Sequence, residues 1–372
     1  MSVVNDDALF RKVSARVLPL AMIGFFLSYL DRVNIGFAQE QLSTDLGFSG
    51  AAYGLGVLFY MSQWFPASRR GRAWGIFYIA LASSGVVGGP VSGFILDGMR
   101  GVAGLDGWQW LFIIEAIPTI ILGFVVLKWM QEDHRTVRWL STPERDRLTD
   151  LLDAEAPAGG HTKLSSVFKS PAIWLLTGIY FSYNFALYGI SFWLPGLIRD
   201  LGITGDVTVG FVAALPSIAA IVAMVLFGYS SDRRGERRLH ITAAFLLSAV
   251  GFVLCIIAGP NPVLGIIGLM LANAGALSIP AIFWSFQTSM LSGTALAGGI
   301  ALINSTGNLA GFAAPYAIGA ARDATGTATT ALWVTFGFMV LGAVLMLGTK
   351  RLRAPSTSPI ATETVSVRSA TD

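Results

Sequence analysis

The sequence predicts an all-α polytopic membrane protein, and three observations carry that prediction. Ten apolar stretches fill most of the chain, nearly all of them close to the length that crosses a bilayer. Only 13% of the 372 residues are charged and 54% are hydrophobic, whereas soluble domains carry ~25% charge. Lysine and arginine gather in alternate connections, the bias that orients membrane helices.

A hydrocarbon core of ~30 Å takes ~20 helical residues. The first span is expected over 17–38. Its purely apolar part, 17–30, covers only ~21 Å as a helix, so a crossing must draw in Asp31 and Arg32. The second stretch, 50–65, is sixteen residues, ~24 Å, short enough to need local thinning of the bilayer. Further spans are expected over 73–96, 108–130, 171–198, 209–229, 239–257, 262–290, 296–320 and 330–347. The 42 glycines fit membrane helices, where small residues let backbones approach.

The connections orient these spans. Arg11, Lys12 and Arg16 precede the first. Arg69, Arg70 and Arg72 follow the short one. Residues 128–169 form a long basic loop. Arg233, Arg234, Arg237 and Arg238 lie after 209–229, and Lys350, Arg351 and Arg353 after the last span. The intervening connections hold mainly Arg100, Arg199 and Arg322, and the loop at 292–298 has no basic residue. Both termini are therefore expected in the cytoplasm of a bacterial-type inner membrane. The polar start, residues 1–16, and the lack of an A-x-A-like site predict that the first span is retained rather than cleaved.

Four domains are expected: a first helix bundle over 1–130 with about four spans, a cytoplasmic linker over 131–170, a six-helix bundle over 171–349, and a disordered cytoplasmic tail over 350–372, rich in Ser, Thr and Ala. Within the linker, Thr142-Pro143-Glu144 predicts a short amphipathic surface helix to about Asp153, with Thr142 as N-cap. The run 85–90 with Gly93 and Asp97 echoes 307–315 with Gly319 and Asp323, as internal repeats of transporters do.

Several function classes are excluded. The net charge of +3 is spread over loops and forms no continuous nucleic-acid stripe. Cys255 is the sole cysteine, so no intrachain disulfide forms. His134, His161 and His240 are scattered, and neither a phosphate-binding loop nor a nucleophile elbow is present. No enzymatic activity, cofactor, metal or obligate protein partner is expected.

Charges at membrane depth stand out instead. Each costs ~2.5–3.5 kcal/mol at a helix centre, and such residues mark ion or substrate paths. Arg32 is the candidate for holding an anion and Asp31 for taking a proton or for serving as its structural partner; the competing explanation is an interfacial salt-bridge network that only orients helices. Glu115, two turns from a connection anchored by Trp108 and Trp110, is expected to be structural. From 239 to 321 there is no charged residue. The polar groups of the later spans are Tyr183, Asn184, Tyr188, Trp284, Gln287, Asn304 and Asn308. Asn184 and Tyr188 stand i, i+4 on one face, as do Asn304 and Asn308. Helix-gluing amides are the competing explanation for each of them. The string Gly228-Tyr-Ser-Ser-Asp-Arg-Arg-Gly-Glu-Arg-Arg238 is too ordered for a plain basic loop: Gly228 and Gly235 suit a tight turn, and Asp232 is expected to pair with arginines or cap a helix.

These strings resemble the major facilitator superfamily, and within it the anion:cation symporter family. Tyr29-Leu-Asp-Arg-Val-Asn-Ile-Gly36 resembles the first-helix signature of that family, which adds Tyr29 and Asn34 to the candidate site. The run from Gly228 to Arg238, with Asp232, Arg233, Gly235 and Arg237, is similar to the second copy of the superfamily's loop motif. Gly85, Gly89 and Pro90 resemble the fifth-helix Gly-Pro motif. Trp64 to Ala73, Trp108 to Pro118, and Trp284 with Asn304 twenty residues on also match. The resemblance implies a two-bundle fold of twelve helices and carriage of carboxylates such as sugar acids, tartrate or aromatic acids, with protons. Ten helices are readable here. Residues 51–56 look like the start of the second helix and 57–65 like the end of the fourth, joined near Gly56. The Arg and Glu that relatives carry on the fourth helix have no counterpart. The chain is thus expected to be either a proton-coupled organic-anion carrier working by alternating access, or a non-transporting deletion product or scaffold.

Overall fold

The computed structural model describes residues 5–42, 64–129, 133–153, 168–290 and 294–352. Within them the side chains of residues 25, 28–42, 67–72, 74–75, 288–290, 294–297 and 351–352 are not described.

The described residues form eleven α-helices. Helix α1 (Asp6–Leu42) is followed by α2 (Ala67–Gly98), a 3-10 turn (Val102–Gly104), α3 (Gly107–Trp129) and α4 (Thr142–Asp153). Then come α5 (Pro171–Asp200), α6 (Asp206–Arg234), α7 (Arg238–Ala258), α8 (Pro262–Met290), α9 (Thr294–Asn308), α10 (Ala310–Thr325) and α11 (Thr329–Gly348). Seven described segments are long and apolar enough to cross a membrane. They fall on the expected spans at 73–96, 108–130, 171–198, 209–229, 239–257, 262–290 and 330–347. The span expected at 17–38 lies within α1, an unbroken 37-residue helix, ~56 Å long. The short stretch at 50–65, with the join at Gly56, lies outside the described residues except for Trp64 and Phe65.

The span expected at 296–320 is helical with one break. It is two helices, α9 and α10, meeting at Leu309. Two local features mark the break. The Asn308 side chain donates to the Asn304 carbonyl at 2.8 Å, competing for the acceptor that the helix would use. Leu309 N–H donates to the Thr306 carbonyl in a tighter turn.

Small residues set the helix contacts. Between α7 and α8, Gly251 faces the Ala272 backbone, Gly268 faces Cys255 and Gly275 faces Ala244 and Ser248, while the Ser248 hydroxyl donates to the Ala272 carbonyl at 2.8 Å. Helix α3 packs little of its length and turns Phe124 and Leu127 outward, as a lipid-facing helix does.

Around α4 the hydrophobic core continues. Leu148 is fully buried, Trp64 stacks on Trp139 at 5.7 Å, and Arg16 lies 5.9 Å from the Trp139 ring centre. Lys12 pairs with Glu144 at 2.7 Å and Arg147 with Asp6 at 2.8 Å, so α1 and α4 are pinned together. The helix start differs from expectation by one residue. The Ser141 N–H donates to the Glu144 carboxylate at 2.8 Å and the Ser141 carbonyl accepts from Arg145. Ser141, not Thr142, is therefore the cap, and the Glu144 carboxylate reaches back to it, accepting from both its N–H and its hydroxyl.

Candidate functional site

The string from Gly228 to Arg238 builds a fixed corner. Helix α6 ends at Gly235, whose φ of +62° is the left-handed value that glycine supplies without strain. Asp232 was expected to cap or pair, and does neither: it is exposed and makes no ion pair among the described residues. Glu236 caps instead, accepting from the Leu239 N–H at 2.8 Å. Arg237 donates to the Ser285 carbonyl at 3.0 Å and Arg238 to the Leu347 carbonyl at 3.5 Å. The corner thus grips the ends of α8 and α11, where a cation complements the helix dipole.

Helix α2 and helices α5, α6 and α8 form a seam between the segments before and after the linker. At its linker end the Trp284 indole donates to the Tyr78 hydroxyl at 2.7 Å, joining α8 to α2. Tyr180 lies edge-on to Trp284 at 5.2 Å and to Tyr183 at 5.1 Å, and stacks on Phe283 at 5.6 Å. The Tyr180 hydroxyl donates to Asn304 Oδ1 at 2.9 Å. Two turns on, the Tyr188 hydroxyl donates to Asn308 Oδ1 at 3.1 Å. Asn304 and Asn308 are themselves bonded at 3.0 Å. These bonds hold α9 against α5 beside its break.

Two buried amides stand apart. Asn184 is 2% exposed and Gln287 0%. Asn184 Nδ2 and both amide atoms of Gln287 meet no partner among the described residues. A buried polar group left unmet costs about 1–3 kcal/mol, so these positions carry a cost that a bound polar molecule or water would relieve.

Further along, a cavity of about 40 Å³ opens between α2, α5, α6 and α8. Ser84, Ser191, Ser217 and Asn273 give it polar walls. That space suits a water and not an organic anion. Beyond it the seam is shut by backbone contact: a Cβ on Gly89 would stand 2.5 Å from the Gly210 carbonyl oxygen, and one on Gly93 2.5 Å from that of Asp206. Pro90 follows on α2. Gly85 faces Ser217. At the far end, Asp206 accepts from Arg100 at 3.0 Å and from Arg199 at 2.8 Å, bridging the α2–α3 connection to α5 and α6.

Of the residues singled out in the sequence, Tyr183, Trp284 and Asn304 come together about Tyr180, and Tyr188 joins Asn304 through Asn308, while Asn184 and Gln287 lie buried on α5 and α8. Tyr29, Asp31, Arg32 and Asn34 lie on α1, and their side chains are outside the described residues. Glu115 is buried and accepts from Ser92 at 3.5 Å, a helix-to-helix contact. Sequence reasoning missed Tyr180, Tyr78 and Asn273. Tyr180 continues the spacing of four through Asn184 and Tyr188 and was findable. Nothing local marks Tyr78, whose partner lies 206 residues away.

Between its two ends the described seam therefore offers hydrogen-bond donors, amides and aromatic walls, with its charges at the far end in the Asp206, Arg100 and Arg199 cluster. The profile of the Major Facilitator Superfamily matches residues 46–315. A proposed tartrate transporter of Agrobacterium vitis is 35% identical over 437 aligned positions, which cover 97% of this chain and 95% of the relative. A proposed metabolite transport protein of Pseudomonas putida, NicT, is 32% identical over 92% of this chain and 94% of its own. The crystal structure of a D-xylose–proton symporter is similar in fold, with a TM-score of 0.60 at 17% identity, covering 90% of this chain and 80% of that one.

Proposed function

Because the chain belongs to the major facilitator superfamily, we propose that it carries small organic anions, carboxylates above all, across the membrane by alternating access coupled to protons. The chain is an integral membrane protein of a transporter family and not an enzyme. The relative named for tartrate transport supports carboxylate cargo, and the one named for metabolite transport supports a small organic cargo. The observation that carries the reading is that two buried amides, Asn184 and Gln287, meet no partner among the described residues and sit on the same helices, α5 and α8, as the aromatic wall of Tyr180, Tyr183 and Trp284. Such a lining orients a polar cargo and needs a cation to hold its charge. Arg32 supplies that cation in this reading, Asp31 takes the proton, and Tyr29, Asn34, Tyr188 and Asn304 complete the contacts. Gly85, Gly89 and Pro90 on α2, with the corner from Gly228 to Arg238, serve the change of access.

The same proposal sets the chain in a bacterial inner membrane with both termini and the 131–170 linker in the cytoplasm. Residues 1–130 act as one bundle and 171–349 as the other, followed by a tail. Purified protein in proteoliposomes should take up labelled tartrate, a sugar acid or benzoate in response to an inward proton gradient. Arg32→Gln should abolish uptake while leaving thermal stability near wild type. Folded protein that takes up none of these acids under a gradient would overturn the reading.

One observation favours a second reading, a membrane protein that binds without transporting. The 437 aligned positions exceed this chain's 372 residues, so at least 65 positions (437 less 372) of the tartrate-transporter relative face no residue here. Alternating access needs two balanced bundles. Saturable binding of a carboxylate without uptake would select this reading.

A further inference from the structure

We propose that the end of the bundle away from the linker holds a second ligand site, for a small carboxylate with an apolar body, built wholly from helices that come after the linker. A cavity of about 300 Å³ lies there between the ends of α5, α7, α8, α10 and α11. That volume is at the lower bound for sites that enclose small organic ligands. It is about seven times the seam cavity (300 against 40 Å³) and shares only the helices α5 and α8 with it.

The wall chemistry selects the ligand. Leu197, Leu201, Ile256 and Leu332 give the cavity its apolar sides. Arg322 is the one cation lining it among the described residues. The guanidinium lies 5.3 Å from the Trp193 ring centre and donates to Asp200 Oδ1 at 2.8 Å. Stacking and the ion pair hold it in one orientation with further N–H groups left to give. Trp193 lines a smaller space of about 20 Å³, which shares Arg322, Leu197, Ala328 and Leu332 with the large cavity. Its indole nitrogen is buried and has no acceptor among the described residues.

An indole N–H and a guanidinium can only donate. The group that meets both must accept twice, and a carboxylate does so with charge assistance. Asp200, the one acid on the wall, is already engaged by Arg322 and is 40% exposed at its side chain, so an incoming carboxylate can share or displace it. An amine would find a paired carboxylate and two donors opposing it. The apolar sides then take a ring or branched chain, as in a mono-aromatic acid.

Among the described residues the site touches neither α1 nor the seam residues assigned to cargo, so its test needs no transport. The chain supplies its own reporter: Cys255 is its sole cysteine and lines the cavity. The experiment follows the rate at which a small methanethiosulfonate modifies Cys255 in the full chain, purified in detergent with no gradient. Benzoate should slow modification saturably, and benzylamine, with the same ring and opposite charge, should not. Arg322→Gln should raise the half-protecting benzoate concentration about tenfold, the loss of one charge-assisted bond, and Trp193→Phe should raise it by a smaller factor. Unchanged rates with benzoate, equal protection by benzylamine, or full protection in Arg322→Gln would each overturn the proposal. So would slowing by added phosphatidylglycerol but not by benzoate, which would make the cavity a lipid site. If Cys255 does not react, equilibrium binding of labelled benzoate to wild type and Arg322→Gln decides; binding that ignores Arg322 refutes the site. Failure of uptake in proteoliposomes leaves this result untouched, and failure here leaves the seam reading standing.

Discussion

Replacing Gly89 by alanine tests whether α2 and α6 close one end of the seam by backbone contact. The new Cβ would stand 2.5 Å from the Gly210 carbonyl oxygen and 3.5 Å from the Ala213 Cβ. Even a close carbon–oxygen contact needs ~3.3 Å, so the two helices must part by ~0.8 Å. The oxygen belongs to a helix backbone and cannot rotate aside. Overpacking of this kind costs about 1–3 kcal/mol. Gly210→Ala meets the Gly89 carbonyl from the other side and should cost as much. Both substitutions separate the same pair of backbones, so the double variant should cost clearly less than their sum. Gly85→Ala meets the Ser217 side chain, which can turn away, and should cost less. Gly337→Ala has nothing within 4 Å and should be neutral or slightly stabilising. Thermal unfolding in detergent reads these differences. In a Cys255→Ser background, Ser217→Cys in the seam cavity should also react faster with a polar thiol reagent once Gly89→Ala is added. Gly89→Ala that melts with wild type and leaves Ser217→Cys equally protected would refute backbone closure.

Three other substitutions or conditions probe the remaining contacts. Tyr180→Phe removes the donor to Asn304 and should cost about 1 kcal/mol of stability; weakened carboxylate binding in the same variant would tie α9 to the cargo, and no change in either measurement would show that the bond serves neither. Asp206→Asn strips the shared partner of Arg100 and Arg199; the pairs are partly exposed, so stability should fall by no more than ~1 kcal/mol, while Ser217→Cys should become more reactive, and an unchanged rate would show that the glycine contact alone seals the seam. Acid should loosen the linker. Burial holds the His134 imidazole below its usual 6.5, against the opposing pull of Asp133, so its contribution is complete above 6.5 and is lost as pH falls below that value. Glu144 is desolvated too, yet the Lys12 ammonium and the Ser141 donors outweigh burial and hold its carboxyl below 4.5, so the α1–α4 pin persists to a lower pH. Limited proteolysis of residues 133–153 should therefore accelerate from pH 7.5 to 5.5 in wild type but less so in His134→Gln, and identical profiles would exclude the histidine.

Much of the architecture was legible because lipid imposes a local rule. A crossing helix must be apolar over ~20 consecutive residues and satisfy its own backbone, and that requirement is written residue by residue in 73–96, 171–198 and 239–257. Part of the seam was legible for the same reason: Asn184 with Tyr188, and Asn304 with Asn308, keep a spacing of four. What faces what was decided only in three dimensions. Tyr78 meets Trp284 across 206 residues, Gly89 meets Gly210, Glu236 takes the capping role expected of Asp232, and Asp200, Cys255 and Arg322 converge on one cavity from three helices. Periodicity tells which face of a helix is apolar. It does not tell which neighbour the face meets, since that depends on where small residues let two backbones close and where a helix, as at Leu309, loses its regular bonds.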